Sequence, residues 1–310
     1  MVTGAAGFLG SHLCRRLCMI GSEVHGISRT EGRVGADGLH WWQSDLERLE
    51  SVTSLVRDIR PDVIFHLSGH VTAAPNSELV QSTFQSLLVS TVNLLTVAQA
   101  IGCRRIVLTG SLTEPNGDHA EATPGSPYAA AKWAANAYAR MFHQLYKTPV
   151  TIVRPFMSYG PGQNIRKLVP YVTHCLIRGE APKVSSGQWE ADWIYVDDVI
   201  NGLVAAACTQ SAEGCTIDLG TGTLASLRTV VTELVHVTGV QIEPIFGALG
   251  DRPLEQTRAA NVSYAYKKLG WKAATSLSEG LGKTVQWYKH YDDQKAASES
   301  CPTLNMTREQ

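Results

Sequence analysis

The sequence has no long apolar run, no block of basic residues and no Cys-x-x-Cys pair. Each absence excludes a class of protein. No stretch approaches the roughly 20 apolar residues of a bilayer-spanning helix, so no membrane partner is expected. The net charge is −1 and the lysines and arginines are dispersed, which leaves no footprint for nucleic acid. The seven cysteines (Cys14, Cys18, Cys103, Cys175, Cys208, Cys215 and Cys301) are odd in number. They read as reduced thiols of a cytoplasmic protein, not as a disulfide framework. The ten histidines are scattered, with no His-Glu-x-x-His and no Cys/His cluster, so no metal is expected. The chain opens directly on a strand-turn signal, and no secretory leader is expected.

What is present is a core-forming composition. Apolar residues make up 44% of the 310 and charged residues 18%, enough for one large domain or two modest ones. Short apolar runs alternate with helical patterns through the first half. Strands are expected at Met1–Thr3, Val24–Ile27, Asp62–Leu67, Arg105–Leu108 and Val150–Val153. Helices are expected between them, as from Phe8 to Ile20 and from Phe84 to Ala100. This alternation predicts an α/β fold, a doubly wound parallel sheet with helices on both faces. The first strand is short; either residues are missing before it or the strand is trimmed. After Pro155 the pattern changes. Gly160-Pro161-Gly162 breaks the chain. Helices are expected over Leu168–Arg178, Asp198–Cys208 and Leu277–Tyr291, a strand at Thr216–Leu219, and Trp193–Val196 leading into the second helix. The expected division is a first domain over 1–158, with 194–222 returning to it, a second over 159–291, and a frayed tail over 292–310.

Gly4-Ala5-Ala6-Gly7-Phe8-Leu9-Gly10 lies between the first strand and the first helix. One glycine permits a tight turn, one lets the backbone approach a pyrophosphate, and one lets helix and strand pack closely. The free N–H groups of the helix start then face the phosphates. This points to a dinucleotide. The end of the second strand reads the adenosine ribose: an acid there favours a 2′-hydroxyl, an arginine a 2′-phosphate. Here stand Ser28 and Arg29, with no carboxylate, so NADP(H) is the expected preference and NAD(H) the alternative. A solvated loop arginine is the plainer reading of Arg29. Asp45-Leu46 suits the adenine edge, and Leu67-Ser68-Gly69 ends the third expected strand beside the cofactor path.

Tyr128-Ala129-Ala130-Ala131-Lys132 follows Ser126-Pro127, a good N-cap and first helical residue. Residues four apart share a helix face, so Tyr128 and Lys132 can address one ligand. A phenol ordinarily titrates near about 10, and a nearby ammonium is expected to lower it. Ser111, at the end of the fourth expected strand, can bond the same substrate oxygen. Surface helix residues are the bland alternative; the glycine turn and Ser111 weigh against it.

With these pieces in place the chain resembles the extended short-chain dehydrogenase/reductases of the nucleotide-sugar epimerase/dehydratase family. The resemblance runs in order through Thr3–His12, Asp45-Leu46, His66–Gly69, Ser111, Tyr128–Lys132, Arg154-Pro155, Tyr159–Gln163, Asp192–Val199 and Leu269–Trp271. It implies a Rossmann domain, a smaller C-terminal substrate domain and often a homodimer. It implies Ser111, Tyr128 and Lys132 as catalytic, Lys132 also bonding the nicotinamide ribose, and Pro155 at the cofactor.

Several positions depart from the family pattern. Members that dehydrate sugars carry an acidic pair after the catalytic Ser or Thr; here Leu112-Thr113 follow Ser111, and Glu114 comes one position late. Dehydration is disfavoured. Met157 stands where an asparagine is common, and Ala191 and Ala248 or Leu249 where diphosphate-holding arginines are common. Arg166, Lys167, Arg252 or Arg258 could substitute. Trp189 and Trp193 either line an apolar pocket or pack between elements. His70, Thr113, Met157, Leu168, Trp189 and Arg252 are the candidate substrate contacts. The leading expectation is a reductase that delivers hydride from NADPH and a proton from Tyr128 to a nucleotide-linked 4-keto sugar or related ketone. The alternatives are a nucleotide-sugar 4-epimerase with tightly held NAD, a reductase of a non-sugar, polyketide-like ketone, and a non-catalytic NAD(P)-binding sensor.

Overall fold

Runs such as Val63-Ile64-Phe65-His66 and Val150-Thr151-Ile152-Val153 are apolar on both sides, as strands covered on both faces must be. The computed structural model describes residues 1–30, 38–72, 74–115, 122–251 and 256–300, with side chains through 291. Its strands are β1 Val2–Thr3, β2 Val24–Ser28, β3 Leu39–Gln43, β4 Val63–His66, β5 Arg105–Thr109, β6 Val150–Pro155, β7 Met157–Tyr159, β8 Glu190–Tyr195, β9 Thr216–Leu219 and β10 Leu224–Ser226. Its helices are α1 Phe8–Met19, α2 Leu49–Ile59, α3 Leu79–Thr83, α4 Ser90–Ile101, α5 Pro127–Tyr146, α6 Leu168–Ile177, α7 Val196–Cys208, α8 Leu227–Thr238, α9 Val262–Leu269 and α10 Leu277–Ser300.

Seven strands form a sheet in the order β3-β2-β1-β4-β5-β6-β9, every neighbouring pair parallel. The order reverses direction between β1 and β4, the switch point at which a doubly wound sheet binds ligands. β1 is two residues long, and its register sets Thr3 beside both Ile27 and His66. A smaller sheet has the order β10-β8-β7. The core below the switch point includes Val52, Ile64, Leu94, Leu95, Ile106 and Ile152, all at most 2% exposed. Each such side chain contributes about 1.5–3 kcal/mol on burial.

The chain divides into two compact units. The first comprises Met1–Ser158, Trp189–Ala225 and Arg252–Thr275; the second comprises Tyr159–Gln188, Ser226–Asp251 and Ser276 onward. The chain therefore returns to the first unit twice, against the single return over 194–222 read from the sequence. Within the second unit α6, α8 and α10 pack on one another, and the Tyr288 hydroxyl donates to the Gln163 carbonyl at 2.6 Å.

Three expectations need correction. β3 was not expected: Leu-His-Trp-Trp-Gln alternates poorly because it is an edge strand with every residue partly open. The tail was expected to lack structure from residue 292, yet α10 continues to Ser300. The helical stretch from Leu79 to Ile101 is, by length and composition, apolar enough to cross a membrane. Here its buried face packs on α2 and α5, the position of a core helix. Its middle, Phe84–Val89, is a π-helical turn.

Candidate functional site

The glycine turn closes with the Gly7 amide on the Gly4 carbonyl at 2.9 Å. Gly4 sits at φ +66°, and a Cβ there would stand 2.8 Å from the Ser68 amide. A Cβ on Gly10 would stand 2.1 Å from the Gly4 carbonyl oxygen. These two positions let β1, β4 and α1 meet at one point. Gly7 caps α1 with no side-chain hydrogen bond, and the first turn holds no acid. The amides of Phe8, Leu9 and Gly10 are thus offered to an anion, with the positive end of the helix dipole behind them. A cradle that a Cβ would fill and an uncapped helix start fit a pyrophosphate.

Around this turn, Leu67 and Ser68 donate their amides to the Thr3 hydroxyl at 3.2 and 3.3 Å. Ser28 ends β2 half-buried, and Arg29 beyond it is exposed. The Arg29 backbone is tied down by Gln43, whose Nε2 donates to its carbonyl at 3.1 Å. Asp45 accepts the Glu47 amide at 3.0 Å, and buried Leu46 lends its carbonyl to Asn93 at 3.1 Å.

Ser126 caps α5, its Oγ accepting the Ala129 amide at 3.2 Å. Tyr128, Lys132 and Ser111 are all buried. The Tyr128 phenol has Ser111 as a neighbour that draws its pKa down, but burial is the larger influence and pushes it up to about 12. The Ser111 Oγ also lies 2.9 Å from the Thr113 Oγ1. Lys132 turns to the end of β5. Its Nζ donates to the Thr109 carbonyl at 2.6 Å, and burial lowers it to about 8 against the opposing pull of Glu114. The expected lowering of the tyrosine by the lysine is therefore corrected. In this arrangement burial of the phenol outweighs the lowering influence of Ser111, and Glu114 adds to the rise.

His66 was not expected as a site residue. Its Nδ1 lies 2.9 Å from the Thr3 Oγ1 and its Nε2 3.0 Å from the Thr91 Oγ1. The Thr91 hydroxyl donates to the Leu87 carbonyl, which leaves it to accept from Nε2–H. Burial, then the Lys132 charge, lower His66 to about 3. An unfolded histidine takes its proton below about pH 6.5. The stability from the neutral ring is complete above that pH and is lost as the pH falls toward 3. Urea unfolding between pH 6.5 and 5 should show a His66→Gln variant losing less stability per pH unit than wild type, by about 1.4 kcal/mol. Equal slopes would refute the neutral, buried ring.

The candidate substrate contacts are spread along the chain. His70 is exposed, its amide on the Ser86 Oγ at 3.3 Å. Thr113 is beside Ser111, and Met157 and Pro155 are half-buried around the end of β6. Leu168 opens α6 in the second unit. Trp189 donates its indole N–H to the Gln256 carbonyl at 3.3 Å and packs edge-on against Trp193 at 6.4 Å. Trp193 is 6% exposed, with its own N–H on the Ala225 carbonyl at 3.0 Å, a packing position. Arg252 lies outside the described residues. Arg258 is engaged with Asp218 at 3.1 Å. In the Asp192–Val199 stretch the acids brace loops: Asp192 accepts the Thr221, Gly222 and Ala260 amides, and Asp198 those of Ala274 and Thr275. Among the described residues no cluster of metal-ligating side chains occurs.

Comparison with known proteins agrees with this geometry. The profile of the NAD dependent epimerase/dehydratase family matches residues 1–220. The UDP-glucose 4-epimerase of Mycolicibacterium smegmatis is 31% identical, across 94% of this chain and 98% of that one. The UDP-glucose 4-epimerase of Thermotoga maritima, solved with UDP-glucose, superposes with a TM-score of 0.86 at 24% identity, covering 94% and 98% of the two chains, which shows the fold. The UDP-glucuronic acid 4-epimerase of Bacillus cereus, solved with UDP-glucuronic acid and NAD, superposes with a TM-score of 0.82 at 25% identity, with the same coverage.

Proposed function

From the membership of this chain in the NAD-dependent epimerase/dehydratase family of extended short-chain dehydrogenase/reductases, we propose that it is a nucleotide-sugar 4-epimerase that keeps its NAD through the cycle. One observation carries the reading. The buried Ser111–Tyr128 pair stands at the β5 end with no acid at positions 112 and 113, and Glu114 is committed to the Ser111 amide and to Asn136. The site can shuttle one proton at a hydroxyl oxygen, and among the described residues after Ser111 the one carboxyl, that of Glu114, is not free for the expulsion of water. The relatives named as 4-epimerases favour this over the ketone reduction expected first from the sequence. A non-catalytic sensor would not call for a buried tyrosine, serine and lysine together.

Gly4, Gly7 and the amides of Phe8, Leu9 and Gly10 would hold the pyrophosphate of NAD. When bound there, NAD would supply the acceptor and donor for one hydride. Tyr128 takes the proton from the C4 hydroxyl oxygen as the carbonyl forms, and gives it back as the inverted hydroxyl is restored. Ser111 bonds the same oxygen and orients it. Lys132 places a positive charge beside the developing tyrosinate, favouring it.

The test is direct. The purified protein should carry NAD, and with UDP-glucose or UDP-glucuronic acid it should interconvert two epimers with no net change in the reduced-cofactor band. Stoichiometric consumption of NADPH with a 4-keto sugar nucleotide would reject the epimerase in favour of the reductase. One feature favours that second reading: Ser28 and Arg29 end β2 without an acid, which admits a 2′-phosphate. Arg29→Ala should then weaken NADP⁺ binding by about 10- to 150-fold, the worth of a charge-assisted hydrogen bond, and leave NAD⁺ unchanged. Calorimetric titration with both nucleotides checks this; an equal effect on the two makes Arg29 a solvated loop residue.

A further inference from the structure

The turn after β5 contains a carboxylate that the proposed chemistry does not use. Glu114 is 2% exposed. One of its oxygens accepts the Ser111 amide, and the other accepts Asn136 Nδ2 at 2.7 Å. Asn136 is itself 2% exposed. It lies four residues beyond Lys132 and eight beyond Tyr128 on α5, so the three share one helix face. Glu114 thereby ties the loop that carries Ser111 to the helix that carries Tyr128 and Lys132. The approach is close enough to need Gly110, where a Cβ would stand 2.7 Å from Glu114 Oε1 and 2.8 Å from Asn136 Nδ2.

We propose that Glu114, clasped by Asn136 across Gly110, is a positioning residue that holds the Ser111 hydroxyl against the Tyr128 phenol and sets the charge around them. A buried anion there has a definite sign. Glu114 raises both Tyr128 and Lys132, and so keeps the phenol protonated and the ammonium charged. Among the described residues, these groups face it. Tyr128 and Lys132 face it from α5, and the Arg154 stem approaches from β6 beside Gly110. Arg258 feels its charge from the segment before α9. Both arginines are bonded to Asp218, at 2.7 and 3.1 Å, so Glu114 and Asp218 are two anions set among the cations of Lys132, Arg154 and Arg258. The Glu114–Asn136 bond is thus a clamp between loop and helix, and it keeps Ser111 in register with Tyr128.

The experiment uses Glu114→Gln and the double variant Glu114→Gln/Asn136→Asp, which returns a carboxylate to the clasp from the helix side. Protein labelled at the tyrosine ring carbon that bears the oxygen is titrated by NMR, with Tyr128→Phe identifying the Tyr128 resonance. In Glu114→Gln the Tyr128 midpoint should fall by about one pH unit or more, since a neighbouring charge is removed from a buried site. Turnover should fall about tenfold with KM within about threefold, as misorientation of one catalytic bond predicts. The double variant should recover most of both. A Tyr128 midpoint that stays at the wild-type value in folded Glu114→Gln, or no recovery in the double variant, overturns the proposal. The catalytic part rests on the roles given to Ser111 and Tyr128 above. The NMR titration needs no substrate, so it decides the clasp even if the epimerase reading fails.

Discussion

Tyr128→Phe should leave a folded protein that still binds NAD and has lost about 10²- to 10⁴-fold of its turnover, the range of a general acid–base group. The ring fills the same space against Leu87 and Ala131, its partners in a small buried cluster, so packing persists. What disappears is the hydroxyl with its proton, beside Ser111. The phenol, held at about 12 by burial, is a reluctant base in this arrangement. Its anion must be stabilised by Ser111 and by the Lys132 charge at the moment of transfer. KM should change little, because one hydroxyl among many substrate contacts is removed. Steady-state rates of epimer interconversion, with NAD content measured on the same preparation, check both halves. Turnover within threefold of wild type would remove Tyr128 from the chemistry and leave the burial of the triad unexplained.

The second large effect is expected from one methyl group. Gly10→Ala should abolish measurable NAD retention and lower stability by about 1–3 kcal/mol or more. The added carbon would lie 2.1 Å from the Gly4 carbonyl oxygen and 2.8 Å from the Ala5 Cα. Backbone on both sides cannot yield as the end of a side chain can, so α1 must shift away from β1. The amides of Phe8 and Leu9 then lose their aim at the pyrophosphate. Gly282→Ala is the control. Gly282 also lies in a helix, but a Cβ there meets nothing within 4 Å. That change should stabilise by about 0.5–1 kcal/mol through helix propensity. Thermal unfolding and nucleotide content separate the two. A Gly10→Ala protein that keeps its NAD would show that the turn is not the pyrophosphate cradle.

The reaction class proposed here differs from the one the sequence first favoured because the relatives are named as 4-epimerases, and two residues are weighed differently beside them. Arg29 at a strand end points to a 2′-phosphate and hence to reduction, but a single exposed side chain carries little weight. Glu114, counted from Ser111, was simply a carboxylate in the wrong place for dehydration. Its burial and its clasp on Asn136 give it a different part to play.

The sequence by itself determined what is local. The Gly4–Gly10 turn, the Ser126 cap and the four-residue spacing of Tyr128 and Lys132 follow from chain geometry over a single turn or helix face, and each is found where the residues said. The positions of the buried strands β2, β4, β5 and β6 were legible because both-side burial leaves continuous apolar runs. The half-open edge strand β3 left no such mark. Tertiary structure alone decided the partners. Thr3 meets His66 across 63 residues, His66 meets Thr91 across 25, Lys132 reaches Thr109 across 23, and Asn136 reaches Glu114 across 22. These pairs exist because β1, β4 and β5 lie side by side and α5 crosses beside them. No periodicity along the chain encodes that adjacency, and burial there, rather than residue type, sets the proton affinities of Tyr128, Lys132 and His66.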